Sequence, residues 1–268
     1  MFDTHCHLNF EAFKSTFEDV ISRARHEGVS KMLIPGTDLE TSKRAFDIAE
    51  THQNIYASVG IHPTKDLGKL NLDSVMFKLE ELAHSDKVVA IGEVGLDYYW
   101  FRSSPDVQKV FFKSQIKLAL KLGKSLIIHN RHAGEDVISS LQNVWHKALG
   151  KRSVFHCCEV DSNMLLFAKN NGIFIGVDGD VTYDKAKQKF IKEVPLEQIV
   201  IETDSPYILP EPYRSQSSLP KGDSKDQMLN EPKNVKLIIE AVAKLKKVTP
   251  KELEKITTDN GKTLFGLN

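Results

Sequence analysis

His5 and His7 stand two residues apart after a short opening run, Met1-Phe2-Asp3-Thr4. In an extended segment successive side chains alternate faces, so the two imidazoles point one way and Cys6 the other. Two neutral imidazoles on one face are half of a site for zinc, nickel, iron and related ions. A lone His-x-His also occurs as a pair of surface histidines, so the rest of the chain has to supply the other half. Four more residues of ligand type end apolar runs: Glu93 after Val88-Val89-Ala90-Ile91-Gly92, His129 after Ser125-Leu126-Ile127-Ile128, His156 after Ser153-Val154-Phe155, and Asp204 after Ile199-Val200-Ile201-Glu202-Thr203. Singly, each has a plain structural use as an ion-pair partner, a satisfied core histidine or a turn cap. Buried together without cations, four imidazoles and two carboxylates would leave charges and lone pairs unmatched. Six nitrogen and oxygen ligands with no thiolate exceed one tetrahedral zinc and suit two divalent ions sharing a bridge. Zinc, magnesium, manganese and nickel are the candidates. Glu93, central in strand order, is the natural bridge, and Asp204 is expected also to accept the proton of an attacking water.

These residues need elements that bring them together. Apolar periodicity and glycine stops predict helices over 15–27, 37–52, 72–83, 107–122, 136–149, 163–171 and 185–193. Between them lie compact apolar runs over 31–36, 55–60, 88–93, 125–129, 153–156, 173–177 and 199–204, after a first strand that ends at His7. Residues 205–230 carry four prolines and no periodicity, as a loop or functional lid does. Two closing helices are expected over 232–246 and 250–264. Eight strands alternating with helices imply a parallel sheet with helices outside. Eight such units favour a closed TIM (β/α)8 barrel over an open doubly wound sheet, as a single domain over 1–268. Active sites of such barrels lie at the carboxyl ends of the strands, where the six residues fall.

The chain has 268 residues, with 36 Lys and Arg against 36 Asp and Glu. Formal neutrality gives no broad field to draw in nucleic acid, so such a substrate would be held locally. Three cysteines, Cys6, Cys157 and Cys158, form no disulfide framework and fit a reducing cytoplasm. The start of the chain lacks the basic and apolar regions of a signal peptide, and no apolar run reaches the length of a membrane span. A cytoplasmic monomer without membrane contact is expected.

Several blocks resemble the TatD family of metal-dependent deoxyribonucleases. They are Asp3-Thr4-His5-Cys6-His7, Gly60-Ile61-His62-Pro63, Ile91-Gly92-Glu93-Val94-Gly95-Leu96-Asp97-Tyr98, Ile128-His129-x-Arg131, Phe155-His156-Cys157 and Glu202-Thr203-Asp204-Ser205-Pro206-Tyr207. Asn230-Glu231-Pro232 and residues 260–265 are similar to the family's closing segment, and the match runs collinearly from residue 2 to 265. The resemblance implies an amidohydrolase-like barrel that removes nucleotides from DNA, typically from 3′ ends of single strands, using divalent metal. DNA repair, DNA degradation and RNA processing are the settings it leaves open, and RNA is the alternative nucleic acid. It implies His5, His7, Glu93, His129, His156 and Asp204 as metal ligands and places His62, Glu202 and Arg131 near the scissile phosphate. His62 would hydrogen-bond a phosphate oxygen or is a turn histidine before Pro63. Arg131 would fork onto phosphate or pair with a nearby acid. Glu202 shares a face with Asp204 and would orient it or support a ligand. Tyr98, Tyr99 and Trp100 would stack a base or pack into the core.

Two departures from the family pattern lie near the site mouth. Cys158-Glu159-Val160 stands where Phe-Ser-Gly is common, and Leu229 where a basic residue is common. Cys157 and Cys158 are not expected to act as nucleophiles. The competing functions are hydrolysis of an ester or amide (a lactone, cyclic amide or aminoacyl ester) on the same barrel, and a metal-stabilised scaffold without catalysis.

Overall fold

The computed structural model describes residues 1–144, 147–217 and 228–267. Eight strands form one parallel sheet in chain order: β1 (Phe2–Asp3), β2 (Lys31–Pro35), β3 (Ile55–Val59), β4 (Val88–Asp97), β5 (Ser125–Arg131), β6 (Ser153–Phe155), β7 (Phe174–Val177) and β8 (Ile199–Ile201). The first and last strands meet just beyond their ends. Thr4 N–H donates to the Ile201 carbonyl at 3.1 Å, and Cys6 pairs in parallel with Ser205. The sheet is therefore a nearly closed barrel, and the open-sheet alternative does not hold.

The connecting helices are α1 (Phe17–His26), α2 (Leu39–Thr51), α3 (Leu72–Ala83), α4 (Pro105–Leu122), α5 (Gly134–Val144), α6 (Ser162–Asn171) and α7 (Lys185–Glu193). Local chemistry sets their ends. Asp38 and Thr41 form a reciprocal capping box at α2, while α4 starts with Pro105 in its first turn and stops at Gly123 in the left-handed region. The helix expected over 136–149 ends at Val144 and is followed by a 3-10 turn, Lys147–Arg152. Residues 145–146 lie outside the described residues, as does 218–227 of the long loop. The earlier part of that loop contains a short helix, α8 (Tyr213–Ser217), and α9 (Val235–Lys246) and α10 (Pro250–Phe265) close the chain. Among the described residues no helix is long and apolar enough to cross a membrane.

Period-two alternation divides the strand side chains between two cores. Met32, Ile34, Leu126, Ile128, Ile199 and Ile201 join the larger cluster beneath the helices. Leu33, Ile127, Val154, Phe174 and Val200 face the barrel interior with Phe2, Leu264 and Phe265. The end of α10 thus plugs the barrel floor, where the Phe2 and Phe265 rings lie 5.8 Å apart and Ser125 Oγ donates to the Leu264 carbonyl at 2.5 Å. Continuing the interior parity upward from Ile127, Val154 and Val200 leads to His129, His156, and Glu202 with Asp204.

Two strand boundaries differ from expectation. β1 is only two residues long, so His5 and His7 stand on the segment that follows it. β4 runs past Glu93 to Asp97, with an irregular register between Ile91 and Val94 where it meets β5. Glu93 therefore sits within a strand and not at its end.

Candidate metal centre

All six residues read as ligands come together, Glu93 from within β4 and the other five from at or just beyond the carboxyl ends of β1, β5, β6 and β8. His5 Nε2 and His7 Nε2 face each other at 3.2 Å. Around them, His5 Nε2 lies 3.4 Å from Glu93 Oε2 and His7 Nε2 lies 3.3 Å from Asp204 Oδ1. His156 Nε2 is 3.6 Å from Asp204 Oδ1 and 3.8 Å from Glu93 Oε1, and its ring stacks on His5 with centroids 3.5 Å apart. His129 Nδ1 is 2.9 Å from Glu93 Oε1. The Glu93 carboxylate is the hub, and it is 3% exposed. Three groups, His5–Glu93–His156, His5–His7–Asp204 and His62–Glu93–His129, each place their ligand atoms within 4.8 Å of one another.

The electrostatics follow from crowding. Burial alone would raise the Glu93 pKa, yet the imidazoles of His62, His156, His129 and His5 hold it well below the usual carboxylate range. Burial and the neighbouring His156 push His5 down. His156 is pushed the other way, up to about 10, because the charges of Glu202, Glu93 and Asp204 outweigh its burial. A buried cluster of this kind is matched by cations or by protons, and each metal bound displaces protons from its ligands.

A further layer of side chains fixes the imidazoles. Asp97 Oδ2 lies 3.1 Å from His129 Nε2, which leaves Nδ1 directed at Glu93. Glu202 Oε1 lies 3.0 Å from His156 Nδ1 and accepts the Cys157 N–H at 2.6 Å. His62 Nδ1 accepts the Thr64 N–H at 3.2 Å, so the proton of the neutral ring sits on Nε2, 3.3 Å from Glu93 Oε1. Burial and the adjacent His129 lower the His62 pKa to about 4, keeping that ring neutral. Asp3 ties the segment carrying His5 to the end of β8, accepting the Thr203 N–H at 3.0 Å and its hydroxyl at 2.6 Å.

A cleft of about 490 Å³ opens over the cluster, lined also by Phe10, Lys65, Trp100, Arg131 and Tyr207. Arg131 lies over the Tyr99 ring at 5.3 Å with its Nε 3.8 Å from Glu159 Oε1, so it pairs with a nearby acid while lining the cleft. Tyr98 is not among the residues lining the cleft and packs against the core. Its hydroxyl donates to Asp136 Oδ2 at 2.7 Å on α5, because the turn held by Asp97 sends it outward and presents Trp100 to the cleft. Trp100 is 61% exposed. Cys158 is buried and its thiol is pushed up to about 12 by burial, while Cys157 is raised well above the usual thiol range, so neither offers a thiolate.

Sequence reasoning passed over Asp97, Lys65, Phe10 and Tyr207. Asp97 carried a signal, since it lies an even number of residues after Glu93 at the end of an apolar run. The loop residues carried none. Phe10 reaches the cleft by stacking on His7 with centroids 4.4 Å apart, and Tyr207 packs edge-on to both rings.

Residues 2–266 match the family model described as TatD related DNase. An uncharacterised metal-dependent hydrolase of Bacillus subtilis, YabD, is 37% identical over 270 residues and matched over the full length of both chains. Deoxyribonuclease Tat-D of Schizosaccharomyces pombe is 31% identical over 272 residues, covering 93% of this chain and 87% of that one. The crystal structure of YjjV, a TatD homologue from Escherichia coli, superposes with a TM-score of 0.83 at 28% identity, covering 100% of this chain and 98% of that one. The chain belongs to the family of TatD-related DNases.

Proposed function

We propose that this protein is a metal-dependent phosphodiesterase that trims single-stranded DNA from its 3′ ends, with His5, His7, Glu93, His129, His156 and Asp204 holding two divalent cations. The observation that carries this reading is the convergence of His5, His7, His129 and His156 on the buried carboxylate of Glu93, with Asp204 beside His5, His7 and His156, beneath an open cleft with an aromatic rim. The deoxyribonuclease name of the fission-yeast relative adds support for DNA.

The donor set fits such ions. His5 and His7 turn their Nε2 atoms toward each other and toward two carboxylates, while their buried Nδ1 atoms have no hydrogen-bond partner. Bound there, a pair of divalent ions lowers the pKa of water and stabilises charge on attacking and leaving oxygens. The chain's own residues do the rest. Asp204, 13% exposed at the cleft edge, would accept the proton of the attacking water on its carboxylate. His62, neutral with its proton on Nε2, would turn that hydrogen bond from Glu93 Oε1 to a phosphate oxygen of the bound substrate. Lys65 lines the same wall, although Asp38 Oδ2 at 2.7 Å shares its charge. Glu202 and Asp97 position the rings of His156 and His129.

A second reading has one observation in its favour. The one arginine among the described residues lining the cleft is matched to Glu159, which suits an uncharged ester or amide as well as a phosphodiester.

One experiment separates them. The purified chain, loaded in turn with Mg²⁺, Mn²⁺, Zn²⁺ and Ni²⁺, is given a 3′-overhanging oligonucleotide and a panel of esters and amides. Shortening of the oligonucleotide that Asp204→Asn abolishes, with folding retained, supports the phosphodiesterase. An intact oligonucleotide with turnover of an ester or amide sinks it.

A further inference from the structure

Two cavities meet at Glu159. Its carboxylate lines the cleft over the candidate metal centre and also a second cavity of about 460 Å³, which adjoins the first along Arg131, Cys157 and Ile208. Glu159 Oε2 accepts the Asn130 side-chain N–H and the His132 backbone N–H, each at 2.9 Å. Its Oε1 lies 3.8 Å from Arg131 Nε and 3.8 Å from His132 Nε2. One side chain thus holds the end of β5 beyond His129 and offsets the guanidinium at the cleft mouth.

Beyond Glu159 the charge is negative. Asp161, Asp178, Asp180 and Asp184 line the second cavity with Lys187. Lys187 is 2% exposed, and its ammonium is taken up by the Cys158 carbonyl at 2.6 Å and by Asp180 Oδ2 at 3.2 Å. Burial and the charge of Asp178 push the Asp180 pKa up to about 8, and even with Asp180 neutral the carboxylates outnumber the cations. The joined cavities are polarised, with candidate cation ligands at one end and carboxylates at the other. Fields of this kind in a walled cleft select ligands by charge.

We propose that Glu159 makes the second cavity a seat for an uncharged terminal nucleoside and turns away a nucleic-acid end that carries a phosphate. This rests on the phosphodiesterase reading and adds to it the chemistry of the accepted end, a hydroxyl. A terminal phosphate monoester brings about −1.5 to −2 charges near pH 7 and is repelled by the carboxylates. Nucleoside hydroxyl and amino groups can donate hydrogen bonds to those same carboxylates.

A short single-stranded oligonucleotide, made with a hydroxyl or a phosphate at its 3′ end and separately at its 5′ end, tests this on the metal-loaded full chain. A phosphate at the attacked end is expected to lower kcat/KM by about tenfold or more, since like charges brought together in a site are strongly unfavourable. Raising the ionic strength should narrow that ratio through screening. Glu159→Gln, which keeps an oxygen for Asn130 and His132 but removes the charge, should narrow it as well. Equal rates on hydroxyl and phosphate ends, or a ratio that neither salt nor Glu159→Gln moves, overturns this inference and leaves the phosphodiesterase standing. Should Glu159→Gln fail to fold, the salt dependence of the wild-type ratio decides alone. No cleavage of any form, with bis(p-nitrophenyl) phosphate still turned over, overturns the DNA reading and this inference with it.

Discussion

The carboxylate of Asp97 faces two ways: Oδ2 lies 3.1 Å from His129 Nε2, while Oδ1 accepts the backbone N–H groups of Tyr99 at 2.9 Å and Trp100 at 2.7 Å. Burial opposes its ionisation, but the His129 contact and those two amides hold its pKa below the usual range. One anionic residue therefore fixes an imidazole of the centre and the loop that carries the aromatic rim. Gln108 braces it in turn, accepting the Asp97 N–H at 2.8 Å and donating to its carbonyl at 2.9 Å.

Asp97→Asn should therefore weaken metal binding without unfolding the barrel. Loss of such an orienting carboxylate costs about 10–100-fold in metal affinity or activity. Metal content per chain after dialysis against graded chelator checks this, with circular dichroism as the control for folding. Unchanged metal affinity would remove Asp97 from the centre.

Trp100→Ala tests the rim. Stacking of a base on an aromatic side chain contributes about 1–3 kcal/mol, so KM for an oligonucleotide should rise by about tenfold or more. With the indole 61% exposed, stability should stay within about 0.5 kcal/mol of the parent. Tyr98→Phe is the comparison: it loses the 2.7 Å bond to Asp136 outside the cleft and should leave KM alone. Equal effects of the two substitutions would mean that no base rests on Trp100.

The barrel and three of the converging residues, His129, His156 and Asp204, are legible in the sequence because one rule, period two along a short apolar strand, sets both interior packing and the direction of the side chain at the strand top; His5 and His7 share a face with each other but lie beyond β1, and Glu93 follows a register irregularity in β4. Val154 and His156 obey it, as do Val200 and Asp204. Where the strand yields to loop, the rule stops. Tyr98 follows the strand of Asp97 in sequence, but a side-chain hydrogen bond and not the pleat sets the turn after it. Phe10, Lys65 and Tyr207 come from segments whose paths depend on contacts distant in the chain. The length of β4 is hidden for a related reason: glycines at 92 and 95 look like a turn signal, yet they mark where β4 passes close to β5.

Gly95→Ala should damage the centre from within the sheet. Gly95 has φ +152° and pairs in register with His129, whose carbonyl oxygen occupies the place a Cβ would take. A methyl group there has to push the β5 backbone away at the residue that faces Glu93. A loss of about 1–3 kcal/mol in stability is expected, as for overpacking, together with a drop in metal content. Urea unfolding and metal analysis read the two effects. Wild-type values in both would show that the strands can part at no cost.

His62 sets the last expectation, for the chelator-treated protein in acid. Its folded pKa of about 4 lies below the 6.5 of an exposed histidine, so between these values the unfolded chain binds the extra proton. The stability tied to keeping this ring neutral is complete above about pH 6.5 and is lost as pH falls toward 4. At 1.36 kcal/mol per unit the full difference is about 3 kcal/mol. His62→Gln removes the titrating group, so its urea midpoint should fall less steeply than that of the parent between pH 6.5 and 4.5, with the two curves parallel above pH 7. Parallel curves across the whole range would show that the ring is already protonated, or exposed, in the folded protein, and a neutral hydrogen-bond donor at that position would be lost with it.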